Sequence, residues 1–482
     1  MMRNVMKKLV IGVVCFLLSA CLVFFGVQFY LKTGIFKVPG VLTIDDDVRD
    51  AQKYSELLTD IELDKDVKIS EYYDEYNENT NDFLIDIVVP IADFYESKES
   101  ITEEEFERRL TSEEGLISVL SLDEKQKLLA VDNAYWLDGF DKGAKYRYLH
   151  IEGESSEDVS TIKDLIRPLM QVFPKKESVL SFTQTGITAL SRNMNAKIAQ
   201  VGNGKYFSEK ISGYLKRFDL THTSNESSFS NYASVNNICS DWRFLDTLTD
   251  IGLDIVELTG NHNVDCGAND AISTFEKYQE LGIKTVGGGR TASEAEVPLR
   301  ISQKGTNITF LAYNQSTGGA TLGETPGANQ YYQDNAKSRI SEAKNRGDFV
   351  IVDVQFNECN FYDDANENTT CDRADSAPGD QVGLFRSLID MGADIVVGTS
   401  AHQTQTYERY NDGEIYYGLG NIFFDQIWWP GTTRSLGLTH YFWNGKLLQT
   451  KRFGTVYDES YQTRIMNEEE IEWFINRLNQ AR

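Results

Sequence analysis

Four short polar clusters each follow an apolar run, and their residue types are those of a hydrolytic or metal-binding site. They are Asn225-Glu226 in "THTSNESSF", Asn261-His262 in "ELTGNHNVDCG", Gln355 and Glu358 in "VDVQFNECN", and Ser400 with His402 in "GTSAHQT". Asn421 in "GLGNIFF" is a fifth such position. A carboxylate and an imidazole brought to one edge can hold a divalent cation or move a proton to a leaving group. The chain has five histidines, and two of them fall in these clusters.

The elements that must position these residues alternate. Strand patterns at "ESVLSFTQTG", "DIVELTG", "NITFLAYN", "DFVIVDVQF" and "ADIVVGTS" are separated by helical stripes such as Phe244, Leu245, Leu248 and Ile251. This rhythm predicts an α/β domain whose sheet is covered by helices, with the clusters at the carboxyl ends of its strands. Further on come hairpins, one turning at Asn411-Asp412-Gly413 and one at Asn444-Gly445, and then a helix over Glu468 to Leu478.

Ahead of that domain, Leu9 to Leu31 is an uncharged apolar run of 23 residues, which as a helix reaches roughly 34 Å and suffices for a membrane core of about 30 Å. Arg3, Lys7 and Lys8 precede it, so the expectation is a single-pass cell-membrane protein with a cytoplasmic N-terminus and the bulk outside. A signal peptide cleaved near Cys21 is the rival reading, and the apolar continuation beyond Cys21 favours the anchor. The expected organisation is a cytoplasmic tail (1–8), a transmembrane helix (9–31), an acidic stalk (32–80), a small α/β domain (81–176), the main domain (177–460) and a C-terminal helix (461–482).

The 482 residues carry a net charge of −26, which leaves no broad basic surface for phosphates and argues against a nucleic-acid partner. Four of the six cysteines lie beyond the apolar run. An oxidising compartment permits two disulfides among them, and Cys359 with Cys371 brackets a polar loop that such a link would close.

The region from about Ser178 to Gln426 resembles the CapA-type family of poly-γ-glutamate capsule synthesis, which is related to the calcineurin-like metallophosphoesterases. "FTQTGITALSR", "SNESSF", "DIGLDIVELTGNHNVDCG", "GADIVVGTSAHQTQTYERY" and "GEIYYGLGNIFFDQ" match its successive segments in order. The resemblance implies a four-layer α/β sandwich and an envelope or capsule polymer as partner.

It also implies metal ligands, and three are missing. Ile187 stands where the family has an aspartate, Gln355-Phe356-Asn357 where it has His-Trp-Gly, and Thr399 where it has a histidine. The remaining set cannot compensate two adjacent cations. One divalent ion held by Glu226, Asn261 and His402 is the expectation, with Glu226 and His262 as catalytic groups and His262 as general acid. Asn225, Asn261, Gln355, Glu358, Ser400, His402 and Asn421 are then the expected substrate-binding residues. With three ligands gone, a non-catalytic polymer-binding module on the same fold is the competing expectation.

Overall fold

The computed structural model describes residues 40–482 apart from 46–47, 78–79, 113, 123–125, 317, 322, 360–361 and 363–370. The expected tail and transmembrane helix lie outside the described residues. Among the described residues no helix is long and apolar enough to cross a membrane.

The chain forms two compact units. The first comprises residues through Ile91, Ser100–Leu122 and Leu129–Phe173; the second comprises Ala92–Glu99, Asp123–Leu128 and Pro174–Arg482.

In the first unit, a sheet runs in the order Leu42–Ile44, Val67–Asp74, Lys145–Gly153, Phe83–Asp93, Leu116–Ser118. Helices Ala51–Leu57 and Ser156–Ile166 bring Tyr54, Ile162 and Ile166 into one apolar cluster with Val67, Ile69, Leu149 and Ile151. This corrects the expected stalk, since residues 42–74 supply two strands and a helix of the unit. Val67 and Ile69 are buried while Lys68 between them is exposed, a period-two pattern hidden by the acidic composition around it.

The second unit holds two sheets. One runs Lys284–Val286, Ile255–Glu257, Leu220–Asn225, Val179–Thr188, Arg434–Trp443, Lys446–Val456, Arg464–Ile465, with Asn421–Phe423 also paired to Val179–Thr188. Its first four strands are mutually parallel. The other runs Leu299–Gln303, Thr306–Asn314, Phe349–Gln355, Ile395–Gly398, Gly413–Tyr416, Tyr407–Tyr410, parallel through its four central strands.

Successive strand residues point to opposite faces, and here both faces are apolar. Ile255, Ile351, Ile395 and Val397 enter a cluster shared by the two sheets, together with Phe182, Leu438, Phe310 and Tyr416. Val256 instead joins Ile198, Leu248 and Phe275 of the helices outside the first sheet. Val352 and Val396 join Ile340, Phe385 and Leu388 outside the second. The order is therefore helix, sheet, sheet, helix. Helix Glu468–Gln480 adds Phe474, Ile475 and Leu478 to the shared cluster.

Polar groups also cross between the sheets. His222 Nε2 lies 3.2 Å from Asp353 Oδ2, and Gln184 Nε2 donates to Asp353 Oδ1 at 2.5 Å, all fully buried. At the hairpin following Arg434–Trp443, Asn444 and Gly445 take φ of 51° and 78°, the left-handed pair that a two-residue turn of this hand requires.

Candidate functional site

The parallel strands of both sheets end on the polar clusters. Val354 pairs with Gly398 and Asn225 with Thr188, so Glu226, Glu358 and His402 all lie just beyond neighbouring exits. Glu226 prolongs its strand by one bond, its amide donating to the Thr188 carbonyl at 3.0 Å. Gly260 lets the next exit approach: a Cβ there would sit 2.6 Å from Glu226 Cα. The following residues bridge back, Ser227 to His262.

Glu226, His262 and Glu358 each offer a ligand atom, and these atoms lie within 4.8 Å of one another. Glu226 is buried, and neither of its carboxylate oxygens has a hydrogen-bond partner among the described residues. A buried carboxylate without donors is costly unless a cation completes it. His262 Nδ1 lies 2.6 Å from Asp265 Oδ2, which leaves Nε2 as the nitrogen for the cluster. A carboxylate behind an imidazole is a common arrangement at metal centres, where it fixes the tautomer and raises basicity.

His402 lies beside this group, its Nε2 3.8 Å from Glu226 and 3.5 Å from Glu358. Its Nδ1 meets Asn421 Oδ1 at 2.8 Å, and Asn421 Nδ2 donates to the Thr432 carbonyl at 3.1 Å. Burial works against a charged His402, but the carboxylates of Glu226 and Glu358 outweigh it and hold the imidazole up at about 9. Burial alone would raise Glu358; His402 and the Tyr362 hydroxyl, which donates to Glu358 at 3.1 Å, bring it down to about 2. For Glu226, burial prevails and the carboxyl is pushed above its ordinary range.

These contacts redistribute the expected roles. Asn261 Oδ1 accepts from Gln355 Nε2 at 3.0 Å, and Gln355 also donates to Ser400 Oγ at 3.3 Å, so these residues shape the wall of the cleft. Of the expected metal set, Glu226 falls in the group of acids and imidazoles within ligating reach of one another, where it is joined by His262 and Glu358. His402 lies beside this group, 3.8 Å from Glu226 and 3.5 Å from Glu358, rather than within it. Asn225 is not a surface contact at all: it is fully buried, and its amide donates to the Ser227 carbonyl at 2.8 Å, which holds the turn.

The positions that depart from the family are closed to a second cation. Ile187 packs with Ala189 and Phe424, and Thr399 donates to Gln355 at 3.4 Å. The residues present fit one cation and not two.

Residues without an assigned role in the sequence reading also reach the site. Asp265 stands three residues after His262 in the quoted motif, a spacing that signals a partner for the imidazole. Tyr362 carried no such signal, because its link to Glu358 depends on a loop. Two disulfides brace the site: Cys359–Cys371 begins next to Glu358, and Cys239–Cys266 anchors the loop of His262 and Asp265.

The profile of the bacterial capsule synthesis protein family PGA_cap matches residues 181–426, just over half of the chain, a span that holds Glu226, His262, Glu358, His402 and Asn421. The chain belongs to this family. Among relatives of the PGA_cap chain, "Capsule biosynthesis protein CapA" of Bacillus anthracis is 25% identical over 268 residues, 53% of this chain and 62% of that protein. "PGA biosynthesis protein CapA" of Bacillus subtilis is 29% identical over 197 residues, covering 40% and 48%. "Probable polyglutamine synthesis accessory protein Rv0574c" of Mycobacterium tuberculosis is 26% identical over 188 residues, covering 36% and 46%. The match thus spans roughly half of each relative's length.

Proposed function

We propose that this chain acts at the outer face of the cell membrane in making, retaining or trimming an envelope polymer, through one divalent cation held by Glu226, His262 and Glu358. The observation that carries the reading is the buried Glu226 carboxylate, which has no donor and lies against His262 and Glu358. The names of the relatives support a capsule polymer, and the apolar run 9–31 supports the membrane anchor. A cation also answers the charge problem: a chain at −26 repels a polyanion such as polyglutamate unless a positive centre bridges them.

A bound divalent ion would supply Lewis-acid polarisation of a carbonyl and bring a water to reactive basicity. The chain's own residues do the rest. Asp265 holds the His262 tautomer, and Gln355 fixes Asn261 at the wall. His402 is charged and oriented by Asn421, with its Nε2 toward the carboxylates, so it is the group placed to protonate a leaving atom. That role passes from His262, whose ring is committed to the cation. Ion binding would deprotonate the Glu226 carboxyl, which burial pushes above its ordinary range, so affinity should rise with pH.

Calorimetric titration of the full-length chain with Mn²⁺ should show one site, abolished in Glu358→Ala. Asp265→Asn should weaken it by about 10- to 100-fold, the usual effect of removing the partner of a ligating imidazole. Absence of stoichiometric binding in the unmodified chain would sink the cation reading.

The runner-up is a polymer-binding module without turnover, and Ile187, Gln355 and Thr399 favour it. Release of γ-glutamate fragments from the polymer by the cation-loaded chain, lost in His402→Ala, selects the enzyme; binding without release selects the module.

A further inference from the structure

An aromatic ledge borders the same edge. Trp428 is 50% exposed, its ring centroid 5.6 Å from Trp429. Trp429 lies 5.2 Å from Tyr362, which binds Glu358 through its hydroxyl and faces His402 at 6.3 Å. The three rings thus run outward from the candidate catalytic groups.

The ledge is held rigidly. Thr432 shares the single proton of its hydroxyl between the carbonyls of Gln426 and Trp429, at 2.7 and 2.8 Å. Its own carbonyl accepts from Asn421, the residue that orients His402, and from the Tyr457 hydroxyl at 2.9 Å. These bonds fix the backbone on either side of Trp428, whose indole rests on Trp429 and keeps half of its surface outward, an apolar face that a ligand can cover.

The charges beside it select that ligand. Arg192 is spent on buried Asp425, which it reaches through Nε at 3.1 Å, and on the ring of Phe424 at 4.4 Å. Among the described residues, the charged groups that the contacts above bring to this edge are Glu226, Glu358, Asp265 and the enclosed His402. A free anionic chain therefore meets repulsion at the ledge, whereas a pyranose presents an apolar C–H face to indole and hydroxyl donors to carboxylates.

We propose that Trp428, backed by Trp429 and Tyr362, is the stacking platform of a saccharide subsite adjoining the Glu226–His262–Glu358 edge. The ligand then carries a neutral sugar ring next to the bond or group at the cation. This rests on the reading of that edge as the polymer site, and the experiment separates the two.

Cellotetraose, chitotetraose and a γ-glutamate oligomer are titrated into the full-length chain, following tryptophan fluorescence and heat. The expected result is that a neutral tetramer binds and that Trp428→Ala weakens it about tenfold, with Trp428→Phe recovering most of the affinity. Mn²⁺ stoichiometry should be unchanged in both variants. The saccharide titration is repeated in Glu226→Gln, which lacks the cation but keeps the platform, so failure of the cation reading leaves the sugar measurement intact. Equal binding by Trp428→Ala, no binding of either tetramer, or Trp428-dependent binding only to the γ-glutamate oligomer overturns the proposal. So does Trp428-dependent binding to phosphatidylcholine vesicles without sugar binding, which would assign the ring to a membrane surface.

Discussion

Glu226→Gln is expected to abolish Mn²⁺ binding and, in the cation-free chain, to raise thermal stability. Both effects have one origin. The carboxylate is buried with neither oxygen hydrogen-bonded, and its compensation is an imidazolium at 3.8 Å rather than a direct donor. Gln keeps the shape and removes the charge, so the folded chain sheds a desolvation cost on the order of 1 to 2 kcal/mol. With cation present the order should reverse, because the unmodified chain gains linkage stabilisation that the variant cannot; at about 100-fold excess over the dissociation constant this is about 2.7 kcal/mol. Melting curves with and without Mn²⁺ would show the crossing. A variant less stable than the unmodified chain in chelator would mean that Glu226 is a satisfied structural residue, and would remove the main support for the cation site.

The second large effect is expected from the disulfides. Cys239→Ser with Cys266→Ser should cost about 2 to 4 kcal/mol of stability, within the usual range for a native link. It should also weaken Mn²⁺ binding at least about tenfold, since the loop held at Cys266 carries His262 and Asp265 and misplacement of a ligand loop degrades affinity. Cys359→Ser with Cys371→Ser should weaken the cation through Glu358 while changing the melt less, because the link spans 12 residues rather than 27 and neither cysteine lies in a strand. Unchanged cation affinity in both double variants would show that the loops hold their positions without the links.

The strand exits were legible because buried parallel strands write a continuous apolar run, and the polar residue that follows stands out. Glu226, His262, Glu358 and His402 were found in this way. Their partition between ligand, acid and wall was not legible, because it depends on which ring nitrogen faces which oxygen across separate strands. Asn225 has the same local signature as Glu226, yet its amide turns back on Ser227. The strand Val67–Asp74 was read as stalk because it carries Lys68, Glu71 and Asp74 within an acidic stretch, so that composition outweighed alternation. His222 carried no signal at all: its partner Asp353 lies on the other sheet, and nothing in the sequence pairs two residues so far apart.

That pair has a consequence for the site. Two apolar sheet faces pressed together can slide by a residue at modest cost, since one branched side chain replaces another. Asp353 cannot follow such a slide: it would leave the Gln184 amide that donates to it and the His222 ring beside it, and a buried polar group stripped of its donor costs about 1 to 3 kcal/mol, more when charged. Glu226 lies four residues beyond His222 and Glu358 five beyond Asp353, each just past the exit of its own strand. The interior contact therefore acts as an alignment pin, and the gap between two carboxylates at the rim is set by a polar key in the centre of the domain.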